Sequence, residues 1–486
     1  MKLNKTIAFV IFISLAGCKH DPDKLVVATN YPANVEKIIT TNCAVTGCHN
    51  TASKDAAAGL DLTTWETMFN GTTVGASVIP FRTDFSTFLY FINVDSTIGL
   101  AQKPTMPINK NALSTADYLT IKNWIGQGAR NANDDVMFPD NPSRHKYYVA
   151  NQGCDVVSVF DADKNIVIKM VDVGVLPGVI ESPHALRVTP DGKYWIVVFL
   201  SAQVVQVYST VSDQLVQSIP IGDGIAGGWN SLTISSDSKK AYAIDYTNGR
   251  VAFVDLVNGT SSTKGPFPIT GGTPKLHGVA LSQNNDTIYV TCQDLSELLK
   301  IPVNDIFNYE EVDLYKTQPL SYNLNPHEVM FSPDYSKYFV TCQNTNVNQV
   351  RVYDTHTDHL ITSIPVGKVP LEFSMAASKN LLFVSNEEDD AVAGYKGSVS
   401  VIDINTLTET KRITVGWQPH GLAVDERLNL VYVAARNVSG GLAPHHSSVC
   451  VGRNGYMTLI DMNTLTVKSI YKTELTVDPY AVGVVK

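Results

Sequence analysis

From residue 144 to the C-terminus, short runs of β-branched and aromatic residues alternate with turn signals. The pattern is clearest in PHALRVTPDGKYWIVVFLSAQVVQVYSTVSDQLVQSIPIG (183–222) and PHEVMFSPDYSKYFVTCQNTNVNQVRVYDTHTDHLITSIPVG (326–367). Each copy holds four such runs, which predicts four short antiparallel strands. The unit returns at intervals of about 45 to 50 residues, the period of a propeller or solenoid. Upstream the spacing is helical. In YPANVEKIITTN, Val35, Ile38 and Ile39 share one face, and LDLTTWETMFNG and DFSTFLYFIN read as helices broken by Gly71, Gly75 and Pro80. A last amphipathic helix begins at Ser114 or Thr115, buries Leu119, Ile121, Trp124 and Ile125, and ends at Gly126 or Gly128.

The first strands of successive repeats open at His184, Asn230, His277, His327, Leu371 and His420, and Pro479 to Lys486 matches the same strand once more. The first repeat, HKYYVANQGCDVVSVFDADKNIVIKMVDVG (145–174), lacks it. The C-terminal strand therefore completes the first blade and closes a ring of seven, which leaves no long exposed edge. The expected fold class is multidomain: a small all-α domain (31–131), a polar linker (132–143), and an all-β seven-bladed propeller of four-stranded antiparallel blades (144–486). This last region resembles the YVTN-type repeat propellers over nearly its whole length. Such a resemblance implies a fold, not a reaction.

Cys43-Ala44-Val45-Thr46-Gly47-Cys48-His49 carries the clearest chemistry. Two thiols followed at once by an imidazole is the arrangement that attaches a c-type haem, the thiols adding to the vinyl groups and the histidine reaching the iron. Four residues separate these cysteines, where the usual spacing is two. The alternatives are a Cys43–Cys48 disulfide or a zinc site with ligands elsewhere. Farther on, Met106 stands in Lys103-Pro104-Thr105-Met106-Pro107, a stiff loop suited to presenting a thioether as second axial ligand. Met106 as an apolar gap-filler is the alternative. The order of helix, haem motif, Met-Pro loop and terminal helix resembles a class I-type cytochrome c domain across the whole of 31–131. The resemblance implies one covalent haem c with His49 and Met106 as iron ligands, a six-coordinate centre that moves single electrons.

The N-terminus reads as a targeting segment. Lys2 and Lys5 precede an apolar run, Ile7 to Ala16, too short to span a bilayer. Leu15-Ala16-Gly17-Cys18 resembles the lipobox of bacterial lipoproteins, which implies a signal peptide ending at a lipidated Cys18 and a tether to residue 30; an ordinary secretory signal is the alternative. Several acyl chains on one cysteine anchor stably, so an exported protein held at a bacterial membrane, facing the periplasm or the cell surface, is expected. The net charge of −9 and the absence of any basic run argue against a nucleic-acid partner.

Blade topology places the openings of the inner strands and the loops joining second to third strands on one face. His184, His277, His327 and His420 then point toward the axial funnel, and His445 and His446, in the insertion RNVSGGLAPHHSSVCVGRNG (436–455), join them on that face. The arrangement suits a second metal or haem in the funnel mouth; equally, Pro-His-Gly turns recur simply as the repeat's common opening. Of seven cysteines, four lie in the propeller. In an oxidising compartment they could pair; Cys154 and Cys450 lie in the first and last blades, where a bridge would lock the ring, and Cys292 and Cys342 sit at equivalent positions of adjacent blades, so the pairing of all four stays open. His356 and His359 fall on the opposite face, and Asn386 to Asp390 is either a calcium loop or a solvated one. No nucleophile elbow, Walker loop or dinucleotide fingerprint is present. Three readings remain: an exported electron carrier with a redox protein partner; a propeller platform for a protein, glycan or small ligand with the haem as relay or sensor; and an oxidoreductase with a second centre in the funnel, similar to nitrite or nitrous oxide reductases.

Overall fold

The computed structural model describes residues 28–269, 272–315, 322–389, 397–441, 443–468 and 472–485. Cys18 and the signal segment therefore lie outside the described residues, as does Asp390. No helix among the described residues is long and apolar enough to cross a membrane.

Seven antiparallel sheets form the propeller. In blade 1 the C-terminal strand Pro479–Val484 is innermost and pairs antiparallel with Lys146–Asn151, Tyr148 lying opposite Gly483 and Val149 opposite Val482. Blades 2 to 7 open at Pro183, Trp229, Leu276, Pro326, Lys368 and Pro419. The expected seven-fold ring, closed by its last strand, is what the chain forms. Blade 7 carries an extra strand, Thr473–Val477, paired with Asn454–Asp461. The alternation of the repeats has a direct consequence: inward residues of adjacent blades interleave, and separate apolar clusters fill the gaps between them.

Residues 28 to 131 hold four α-helices: α1 (Ala33–Asn42), α2 (Trp65–Met68), α3 (Thr87–Ile92) and α4 (Thr115–Gly126). Two of them are four and six residues long, and turns make up much of the rest. Ser114 caps α4 by accepting from the Asp117 N–H at 3.1 Å. The buried face of α4 is Tyr118, Ile121, Trp124 and Ile125; Leu119, expected inside, is exposed, because the turn places residue 118 rather than 119 against the core. Tyr31 meets Trp124 edge to face at 6.1 Å, and the Trp65 Nε1–H donates to the Ala129 carbonyl at 2.6 Å, which ties both ends of the region together.

This region is not a body apart. One apolar cluster runs from Val35, Ile39 and Trp124 through Phe138 into Tyr148 and Val157 of blade 1 and Trp195 of blade 2. Phe138, in the stretch read as a linker, is buried against Phe69 at 5.7 Å. Arg82 donates to the Met170 carbonyl at 2.6 Å and pairs with Asp172 at 3.0 Å in blade 1. The helical region (31–131) and the stretch read as a linker (132–143) both contribute to one apolar cluster with blades 1 and 2.

Candidate functional site

The Cys43–His49 loop begins where α1 ends. Burial of Val35, Ile38 and Ile39 sets the helix against the core, and Cys43 follows as its last hydrogen-bonded residue, its N–H donating to Ile39 at 2.9 Å. The loop folds back on itself: the Cys48 N–H donates to Val45 at 3.0 Å and the His49 N–H to Cys43 at 3.1 Å. Gly47, at a φ of +82°, makes that return without crossing a disfavoured backbone region. Cys43 and Cys48 are both free thiols, not joined to each other. Burial first, and the neighbouring Cys48 second, push the Cys43 thiol up to about 12, with Lys110 acting in the opposite sense.

His49 is half-buried, and its Nδ1 lies 3.3 Å from the Leu60 carbonyl. A carbonyl only accepts, so Nδ1 carries the proton and Nε2 keeps its lone pair. Burial lowers the pKa of His49, partly offset by that same bond, which keeps the ring neutral and able to ligate. Met106 borders the apolar cluster that contains Cys43, and its N–H donates to the Phe91 carbonyl at 2.8 Å, fixing the loop to the end of α3.

The axial residues of the propeller form a second constellation. His184, Asn230, His277, His327, Leu371, His420 and Tyr480 each follow the start of an inner strand or stand where the bulged start of that strand turns inward. Four imidazoles and one phenol meet there: His277 on His327 with centroids 3.8 Å apart, His327 edge-on to His420 at 5.8 Å, and Tyr480 stacked between His420 at 3.7 Å and His184 at 4.0 Å. All four histidines are buried, and desolvation lowers every one of their pKa values, that of His277 to about 4. Asp478 holds Arg436 by two bonds, at 2.6 and 3.1 Å, above the Tyr480 ring.

Sequence reasoning missed the carboxylates. Glu328 and Glu372 occupy the column that other blades fill with Ala185, Ser231, Gly278, Gly421 and Ala481. Burial drives both acids up; Glu372 adds to the effect on Glu328, and Arg187, 3.7 Å from Glu372, counters it. The signal was present, since aligning the repeats on their histidines shows two acids interrupting a column of small residues.

His445 and His446 do not join the axial group. His446 Nδ1 lies 3.0 Å from Glu474 on the extra strand of blade 7, and its Nε2 lies 3.3 Å from His445 Nδ1. Phe91 sits edge-on to His446 at 5.8 Å, and Gln102 donates to the His445 carbonyl at 2.7 Å and accepts from the Ser447 N–H at 2.8 Å. The six histidines thus separate into an axial four and a rim pair, and the rim pair receives the loop that leads to Met106. Glu474 had no sequence signal, because its strand lies outside the repeat.

Cys154 and Cys450, whose pairing the sequence left open, form a disulfide between first and last blades, with α-carbons 5.6 Å apart. Cys292 and Cys342 are buried free thiols. His356 and His359 are exposed. Glu387 lies 4.0 Å from Arg436 and Asp389 3.7 Å from Arg412, so these acids of the 386–390 stretch face cations.

A family model described as Choice-of-anchor I domain matches residues 277–485, the run from blade 4 to the closing strand. No curated protein matches the chain. Among solved structures, a functionally unknown protein from Desulfotomaculum acetoxidans is similar at 14% identity and a TM-score of 0.51, covering 70% of this chain and 98% of its own. Dihydro-heme d1 dehydrogenase NirN in complex with DHE covers 93% of this chain and 98% of its own at 13% identity, with a TM-score of 0.48, too low to bear on function. The likeness to the first of these is one of fold.

Proposed function

We propose that the protein is an exported electron carrier, anchored to a bacterial membrane through Cys18, with one haem c bound at Cys43 and Cys48 and ligated by His49 and Met106. The observation that carries the reading is the state of the loop: two unpaired thiols bracket a return turn, and the adjacent imidazole has Nδ1 committed to Leu60 and Nε2 free. A haem with imidazole and thioether ligands supplies a one-electron couple with no open position. The protein's own part is to hold His49 neutral and oriented, to bring Met106 to the cluster that buries Cys43, and to shield the site with Tyr31 and Trp124. The Cys154–Cys450 disulfide supports an oxidising compartment. A redox protein is the partner this reading requires, and no nucleic acid enters it.

Full-length protein made in a host competent for cytochrome maturation is expected to stain for covalent haem on a denaturing gel, Cys48→Ala to lose most of the stain, and Met106→Ala to keep it while losing the thioether-dependent absorption band. Colourless wild-type protein overturns the proposal.

A second reading, the propeller as a docking platform, is favoured by the loop into blade 2. Val175, Leu176, Val179 and Ile180 are each about half exposed there, apolar residues gathered on the face where the inner strands begin.

A further inference from the structure

We infer that the propeller axis holds a divalent first-row transition metal, bound by His327, Glu372 and His420. The three stand on the inner strands of successive blades 5, 6 and 7: Pro326–Phe331, Lys368–Ala376 and Pro419–Asp425. One ligand atom from each lies within 4.8 Å of the other two, close enough for a single ion to reach all three.

Unpaired nitrogens point to the occupant. His327 Nε2 and His420 Nδ1 are buried without any hydrogen-bond partner, in side chains only 3% exposed. A buried polar atom is rarely left unsatisfied, and two on neighbouring imidazoles, beside a carboxylate, make a donor set with nothing to receive. Neighbouring histidines differ: His184 Nδ1 reaches Gln152 at 2.7 Å, and His277 Nδ1 reaches the His327 carbonyl at 3.2 Å. They support the ligands and leave them to the metal.

Two imidazoles and one carboxylate suit zinc, with a fourth position for water, and ferrous iron with more open positions. The adjoining cavity, lined by His184, Glu372, His420 and Tyr480, has a volume of about 10 Å³. That is room for one water and not for a porphyrin. The site is thus a small-ion site, which ties three blades together at the axis and is separate from the haem loop. The inference does not rest on the haem reading.

Zinc is the probe. Full-length protein, treated with a chelator that leaves covalent haem in place, is titrated with Zn²⁺ by calorimetry and its bound metal counted by mass spectrometry. One equivalent of zinc is expected, with a melting temperature that rises with free zinc by mass action. His327→Gln and His420→Gln are each expected to weaken binding by more than about 100-fold, beyond what loss of a supporting contact costs, and to abolish the melting shift. Glu372→Gln, nearly the same shape, serves if the histidine variants fail to fold, and is expected to weaken zinc in the same direction. His446→Ala is expected to leave the one equivalent intact. No zinc uptake, uptake unchanged in all three ligand variants, or uptake lost only with His446→Ala overturns the inference.

Discussion

At Gly278 and Gly421 the inner strands of neighbouring blades come closest. A Cβ at Gly278 would stand 2.4 Å from the His327 carbonyl oxygen, and one at Gly421 would stand 2.3 Å from that of Tyr480. Backbone, not a movable side chain, occupies the space, so even one methyl group forces two blades apart. Gly278→Ala is expected to lower stability by about 1–3 kcal/mol, read as a shift in the urea midpoint at unchanged slope; an unchanged midpoint would mean that the strands separate without cost. The glycine that follows the histidine in these two blades therefore has a packing reason of its own, independent of the histidine before it. At this scale the sequence was legible wherever a residue type repeats. The histidine column could be counted directly. Glu372 was visible only as an exception to a column, and the two unpaired nitrogens not at all, because satisfaction of a ring nitrogen depends on partners from other blades. Leu119 and Tyr118 show the same limit, since one step along a helix is a rotation of about 100° and helix ends are read to within a residue or two.

Among the elements, the strand Pro479–Val484 and the disulfide beside it close the ring by different means. The strand supplies the hydrogen bonds that blade 1 would otherwise lack on its inner side. The bond from Cys154 to Cys450 joins positions 296 residues apart and so shortens the unfolded chain greatly. In the chain-entropy picture a loop of that length corresponds to about 5.7 kcal/mol. Replacing both cysteines with serine is expected to lower the urea midpoint by a large fraction of this amount, and wild-type protein treated with a reductant should fall to the same midpoint as the double variant. A double variant as stable as the oxidised protein would show that the strand alone closes the ring. Closure was readable from the chain because the first repeat lacks a strand and the last residues match the missing piece. The extra strand Thr473–Val477 was not, since it belongs to no repeat and pairs with the first half of Asn454–Asp461. The brief helices α2 and α3 were foreseen in place but are shorter than their apolar runs suggest: α2 closes at Phe69, two residues before Gly71 with its φ of +73°, and α3 opens only after Ser86 and stops where Asn93 turns extended.

For the whole molecule, what matters is how the Cys43–His49 loop and the propeller share a core. The cluster containing Cys43 continues through Trp124 and Phe138 into Tyr148 and Trp195, so no apolar boundary separates the two parts. Polar contacts follow the same seam: Arg82 with Met170 and Asp172, the Glu474 N–H with the Val74 carbonyl at 2.9 Å, and Gln102 with both sides of His446. Composition and periodicity marked two domains because they report local pattern, whereas a shared core is a property of surfaces that meet only after folding. Domains that share a core lose it together. Calorimetry of the intact protein is therefore expected to show one unfolding transition in which the loss of helix and of sheet coincide, and Arg82→Ala should move that transition down as a unit. Separate transitions for the two parts, or an Arg82→Ala effect confined to the helical signal, would instead describe a tethered helical domain. The distinction bears on the site directly: Phe91 and Gln102, on the segment leading to Met106, pack beside His446, so the Met106 loop keeps a fixed distance to that rim of the propeller.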